Sequence, residues 1–208
     1  MVEVVTDRQA VAKRGKRLEY FTIAWNCLEG LVAVVAGAIA GSISLVGFGI
    51  DSFIEVTSGA TLLWRMAVDS EEQARERNER LSLRTVGACF LGLSTYIAYE
   101  SVSDLIGGKA PERSVAGIIL ASVSLIAMPI LSRAKKKVGK ELGSAAMNAD
   151  ARQTDFCVYL SGILLAGLLL NAMLGWWWAD PVAAIIMVPI IAKEGINAVK
   201  GRTCRDSY

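Results

Sequence analysis

The chain has 208 residues, 53% of them hydrophobic, and a mean hydropathy of +0.44. Its apolar residues come in long blocks between short charged segments, which argues for a membrane protein and against a single soluble core. A net charge of only +2 leaves no global basic surface for nucleic acid, and the absence of histidine leaves metal or proton chemistry to carboxylates.

The polar residues 1–18 carry Arg8, Lys13, Arg14, Lys16 and Arg17, a basic arm that does not resemble a cleaved signal peptide. A first apolar block runs from about Tyr20 to Ala40 and holds Asn26 and Glu29; after a tight turn at Gly41-Ser42, a second runs from about Ile43 to Trp64. Each is close to the roughly 20 residues a helix needs to cross the hydrocarbon. Arg65 to Arg84 mixes both charges and suits a solvated helical connection with pairs such as Glu71–Arg75 and Glu76–Arg80. The third block, about Thr85 to Ile106, carries Glu100 and Asp104 toward its end, where they reach interfacial water. A turn follows, then a fourth block from Ser114 to Leu131 whose last turn Pro129 bends. Ser132 to Leu142 reads as a strongly basic loop. The fifth block starts near Ser144, stays polar through Asp155 and is then apolar to about Leu174. Trp176, Trp177 and Trp178 suit a membrane–water interface, and Asp180-Pro181 opens the sixth block, which fades near Ala198.

Of Cys27, Cys89, Cys157 and Cys204, none forms a CxxC pair, and the first three read as small buried thiols in apolar segments. Eighteen of the 22 Lys and Arg fall in the arm, in 65–84, in 133–140 and beyond residue 199. The positive-inside rule then places both termini and the two long connections in the cytoplasm. The expected organisation is an all-α integral membrane protein: a basic arm at 1–18, six transmembrane helices over 19–199, and a cytoplasmic tail at 200–208.

Asp51 and Glu55 lie one turn apart on the second helix, near mid-bilayer, where a lipid-facing acid is costly. No Lys or Arg sits deep in any block, so this pair is expected to hold a divalent cation or to share protons. On helix five, Asn148, Ala151, Arg152 and Asp155 share a face, while Asp150 lies about 140° from Asp155. Asp155 is therefore the expected partner of Asp51 and Glu55, with Asn148 an outer neighbour and Arg152 offering Asp155 a structural pairing instead. Asn26 either bonds between helices as glue or, with Glu29, lines the pathway or relays protons. Glycines at 30, 37, 41, 47 and 49 allow helices one and two to approach closely.

These residues carry a resemblance. Asn26, Gly37, Gly41-Ser42 and Asp51-x-x-x-Glu55 stand in register with the first two transmembrane helices of the cation diffusion facilitator (cation efflux) family. Asp155 falls on the last position of that family's helix-five motif, and Asp180-Pro181 fits its sixth helix. The resemblance implies proton-coupled efflux of a divalent cation, most often zinc, by a homodimer; a plasma (inner) membrane of a prokaryote is the expected location. The chain departs from the family in carrying Glu55 where Asp is usual. It also has Ala151 where a fourth ligand is expected, Asp150 substituting only if helix five unwinds or rotates. The expected assignment is a short branch of the family, without the cytoplasmic metal-binding domain that usually follows helix six.

A site of three carboxylates is hard and oxygen-rich, which keeps manganese and iron beside zinc as cargo. Protonation and metal binding compete at such groups, which couples the two ions. The metal is cargo, no tightly bound cofactor is expected, and the partners are the bilayer, the cation, protons and a second copy. A membrane protein that sequesters metal, or modulates another transporter, is the alternative. An enzyme is not expected, because no serine lies in a nucleophile motif.

Overall fold

The structure, a computed structural model, describes residues 2–67 and 72–200; the side chains of residues 2–8, 65–67, 72–83, 145, 146 and 149 lie outside that description. It consists of α1 (Val2–Ala40), α2 (Ile43–Ala67), α3 (Glu72–Gly107), α4 (Val115–Leu142), α5 (Ala145–Leu174) and α6 (Ala179–Val199), with no strand among the described residues. Five of the six are long and apolar enough to cross a bilayer, α3 being diluted by its charged first half. The apolar half of α3 lies along α6. There a Cβ on Gly87 would come within 2.7 Å of the Val199 nitrogen, so the backbones meet through glycine.

The polarity of the bundle is inverted relative to a soluble one. Phe21, Leu28, Leu31 and Ile39 of α1 and Ile126 of α4 face outward, while Glu19, Asn26, Glu29, Asp51, Glu55 and Lys135 are buried. In water so much exposed apolar surface would drive association; in a bilayer it is the expected exterior, and the polar groups must find partners inside. The helices associate as the pairs α1–α2, α4–α5 and α3–α6, and α2 also touches α3, α5 and α6. It is the most enclosed span: 61% of its apolar window is buried, against 28–39% in the other four.

The turns follow from local chemistry. Gly41 (φ +66°) and Gly143 (φ +62°) take the left-handed conformation that lets α1 and α4 reverse. Ser114 and Ser144 cap α4 and α5 by accepting from the Gly117 and Met147 amides. Asp180, fully buried at the start of α6, accepts from the hydroxyls of Ser42 and Ser44. That contact sets the first turns of α2 and α6 at one level. On the flank facing α1, Gly37 and Gly49 let the helices close, since a Cβ on either would sit 2.8 Å from a backbone nitrogen of the other helix.

Two expectations change. The basic stretch 132–142 is the last third of α4, not a loop: Gly139 is carried inside the helix, which ends only at the left-handed Gly143, and Pro129 does not end it. Residues 72–107 form one helix, so the charged connection and the third block are continuous. The pairs Glu71–Arg75 and Glu76–Arg80 and the tail at 201–208 lie outside the described residues.

Candidate intramembrane cation site

Asp51 and Glu55 are buried one turn apart on α2, 5% and 2% exposed. Facing them are Thr154 and Cys157 of α5. The Thr154 hydroxyl donates to Glu55 Oε1 at 3.0 Å; the Cys157 thiol donates to Glu55 Oε2 at 2.6 Å and lies 3.7 Å from Asp51 Oδ2. Among the described residues no Lys or Arg nitrogen comes within 4 Å of either carboxylate. A small cavity of about 10 Å³, close to the room one water needs, opens on the pair and is lined also by Phe90, Gln153, Phe156 and Glu194. Among the described residues no three His, Cys, Asp or Glu side chains yet converge as a ready metal cage.

The structure does not bring Asp155 to this pair. Its carboxylate accepts from Lys136 at 2.5 Å and from Ser132, and its side chain is 34% exposed. The reason is helix phase. The buried stripe of α5 runs Met147, Asp150, Thr154, Cys157, Ser161, Leu164, Leu168, Asn171, a strict three–four alternation that leaves 155 to one side. Arg152 is exposed, so the basic partner of Asp155 comes from α4 rather than from its own helix.

Asp150 does lie on the inner stripe, but Lys135 occupies it. The Lys135 ammonium is fully buried and donates to Asp150 at 2.5 Å, to Glu19 at 3.3 Å and to the Thr154 hydroxyl at 3.3 Å. A basic residue therefore does sit deep in the bundle, contrary to the reading of the apolar blocks, and it stands one hydroxyl away from Glu55. Asn148 packs at Gly139, against α4. Glu29 accepts from Ser52 at 3.1 Å and from Ser124, joining α1, α2 and α4, while both polar atoms of Asn26 are buried without a partner. Asp104 pairs with Lys109 at 3.0 Å near the end of α3.

Sequence reasoning read Cys157 only as a buried thiol and Lys135 only as loop charge, and did not weigh Thr154, Glu19 or Glu194; of the three thiols read as buried, Cys157 is, while Cys27 and Cys89 are exposed. The signal was available as periodicity: Glu19, Thr22, Asn26, Glu29 and Ala33 form a buried stripe on α1, and Ser124, Met128, Leu131, Lys135 and Val138 one on α4.

These features define a class: a polytopic helical membrane protein whose central helix presents paired carboxylates to an internal cavity. Residues 21–201 match the family described as the cation efflux transmembrane domain, and the chain belongs to that family. It is 30% identical over 187 residues to uncharacterized transporter MJ0449 of Methanocaldococcus jannaschii, covering 85% of this chain and 64% of that protein. Transmembrane protein 163 of Xenopus laevis is 26% identical over 196 residues, covering 92% of this chain and 68% of that one. The cadmium, cobalt and zinc/H(+)-K(+) antiporter of Bacillus subtilis is 26% identical over 144 residues, covering 67% of this chain and 45% of the antiporter. The chain thus spans between about half and two thirds of the length of these relatives.

Proposed function

We propose that this protein moves a divalent metal cation across its membrane in exchange for protons, through a site built on Asp51 and Glu55. The observation that carries the reading is the burial of both carboxylates, side by side and without a cationic partner in contact, on the most enclosed helix. Intramembrane acids so placed mark ion pathways, and a protein named as a cadmium, cobalt and zinc/H(+)-K(+) antiporter is among the relatives. Protonation of the pair releases the metal, and metal binding expels the protons, so one site serves both ions in turn.

Cys157 adds a soft donor to two hard ones, which supports zinc ahead of manganese and iron. Asp155, the ligand implied by the family motif, joins only if α5 turns by about 100°, one residue of helix phase; Asp150 joins only by leaving Lys135. The basic helix ends face the cytoplasm by the positive-inside rule, the bilayer is the plasma membrane of a prokaryote, and the working unit is a homodimer.

The test is zinc flux into proteoliposomes with and without a pH gradient. Gradient-dependent flux that disappears in the Asp51→Asn, Glu55→Gln double variant is the expected result. Calorimetric zinc binding with no flux under any gradient would instead make the chain a metal-holding or regulatory membrane protein.

A further inference from the structure

We propose that Glu194 of α6 is the acid through which a cation reaches Asp51 and Glu55, because the opposite flank of the pair is closed by the tethered ammonium of Lys135. The inference rests on the reading of Asp51 and Glu55 as the cation site and specifies its entrance.

One flank of the pair faces α1, α4 and α5. There Thr154 donates to Glu55, and behind it Lys135 bridges Asp150, Glu19 and the same hydroxyl. A mobile cation on that side meets a fixed positive charge one hydroxyl away from Glu55. Lys135 fills the space a cation would take, and its own acids hold it there.

The other flank is the cavity between α2, α3, α5 and α6. Its polar lining is Asp51, Glu55, Gln153 and Glu194, and Phe90 and Phe156 complete the wall. The Gln153 Nε2, on the helix that lines this cavity, is buried without a hydrogen-bond partner. Glu194 is half-buried and its neighbour Lys193 is exposed, which puts the glutamate between cavity and surface.

The bond from Ser44 to Asp180 gives α2 and α6 a common level from which depth can be counted. At about 1.5 Å per residue, Asp51 lies roughly 10 Å from that level, Glu55 roughly 16 Å and Glu194 roughly 21 Å. The three acids therefore form a descending series from the Lys- and Arg-rich end of the bundle: Glu194 first, Glu55 next, Asp51 deepest. A cation arriving from that end exchanges water for carboxylate oxygen in steps, which offsets the cost of dehydration inside the bilayer.

The experiment is initial-rate zinc and manganese flux into proteoliposomes holding the full chain, comparing wild type, Glu194→Gln, Glu194→Asp and Asp51→Asn. Glu194→Gln is expected to raise KM by about tenfold, as loss of one attracting carboxylate at partial burial implies. Its kcat should stay within about twofold of wild type, Glu194→Asp should restore most of the KM, and added salt should shrink the difference. An unchanged KM in Glu194→Gln, with Asp51→Asn inactive, overturns the entrance and leaves the site reading intact. Wild-type flux in Asp51→Asn overturns the site reading itself. Glu194→Gln is isosteric at a half-buried position, and matching unfolding curves of the four proteins verify that the fold is kept.

Discussion

Thr154 and Glu55 are joined across the α5–α2 contact by a 3.0 Å hydrogen bond, and the same hydroxyl accepts from Lys135 at 3.3 Å. One small side chain thus couples an acid of the proposed cation site to the buried ion cluster beside it. Replacing Thr154 with Val keeps the shape and removes both bonds. The expected loss of stability is about 0.6 kcal/mol and at most about 1.7 kcal/mol, the mean and the upper limit for hydrogen bonds between membrane helices. Unfolding in mixed detergent and SDS measures it, and Thr154→Ser, which keeps the hydroxyl, is expected to recover most of the loss.

Lys135 is the one described ammonium at full burial, and it holds two acids whose second oxygens, Glu19 Oε1 and Asp150 Oδ1, have no partner. Lys135→Met leaves two carboxylates without their cation. A broken buried ion pair costs about 3–5 kcal/mol, and a loss of that size is expected in the same unfolding assay. The triple variant Lys135→Met, Glu19→Gln, Asp150→Asn removes the charges together and is expected to regain at least half of it. Equal instability of the single and triple variants would mean that the cluster acts through packing instead of charge.

How far the sequence discloses this arrangement depends on the residue. Asp51 and Glu55 are legible because acids are rare in apolar blocks and their four-residue spacing fixes a shared face. Asp155 misleads for a related reason: a helix wheel gives relative angles within α5, not the angle at which α5 meets α2. That angle is set by packing, and only the three–four stripe from Met147 to Asn171 records it. Lys135 is hidden by company, since one Lys among Arg133, Lys136, Lys137 and Lys140 looks like surface charge. Its position on the buried stripe of α4 marks it out, because the residues around it alternate outward and inward with the helical period.

The α3–α6 contact makes a sharper structural prediction. A Cβ on Gly87 would lie 2.7 Å from the Val199 nitrogen and 2.8 Å from the Gly195 oxygen, both backbone atoms that cannot rotate away. Gly87→Ala is expected to destabilise by about 1–3 kcal/mol, the usual cost of overpacking, even though alanine favours helix. Gly92→Ala on the same helix meets nothing within 4 Å and is the control, expected to be neutral or slightly stabilising. If both substitutions behave alike, helix propensity governs the contact and the close crossing does not.

Cys157 offers a test of ion preference that leaves the carboxylates untouched. Its sulfur lies 2.6 Å from Glu55 Oε2 and 3.7 Å from Asp51 Oδ2, within reach of an ion held at the proposed site. Serine in its place keeps a donor of similar size but exchanges soft sulfur for hard oxygen. Zinc relies on thiolate far more than manganese does. Cys157→Ser is therefore expected to lower zinc affinity by about an order of magnitude, the scale on which the surroundings of a metal act, and to leave manganese affinity nearly unchanged. Competitive calorimetry with the two ions on the purified full chain reads the ratio directly. A parallel fall in both affinities would show that Cys157 only packs against the carboxylates, and an unchanged ratio with unchanged affinities would remove sulfur from the site.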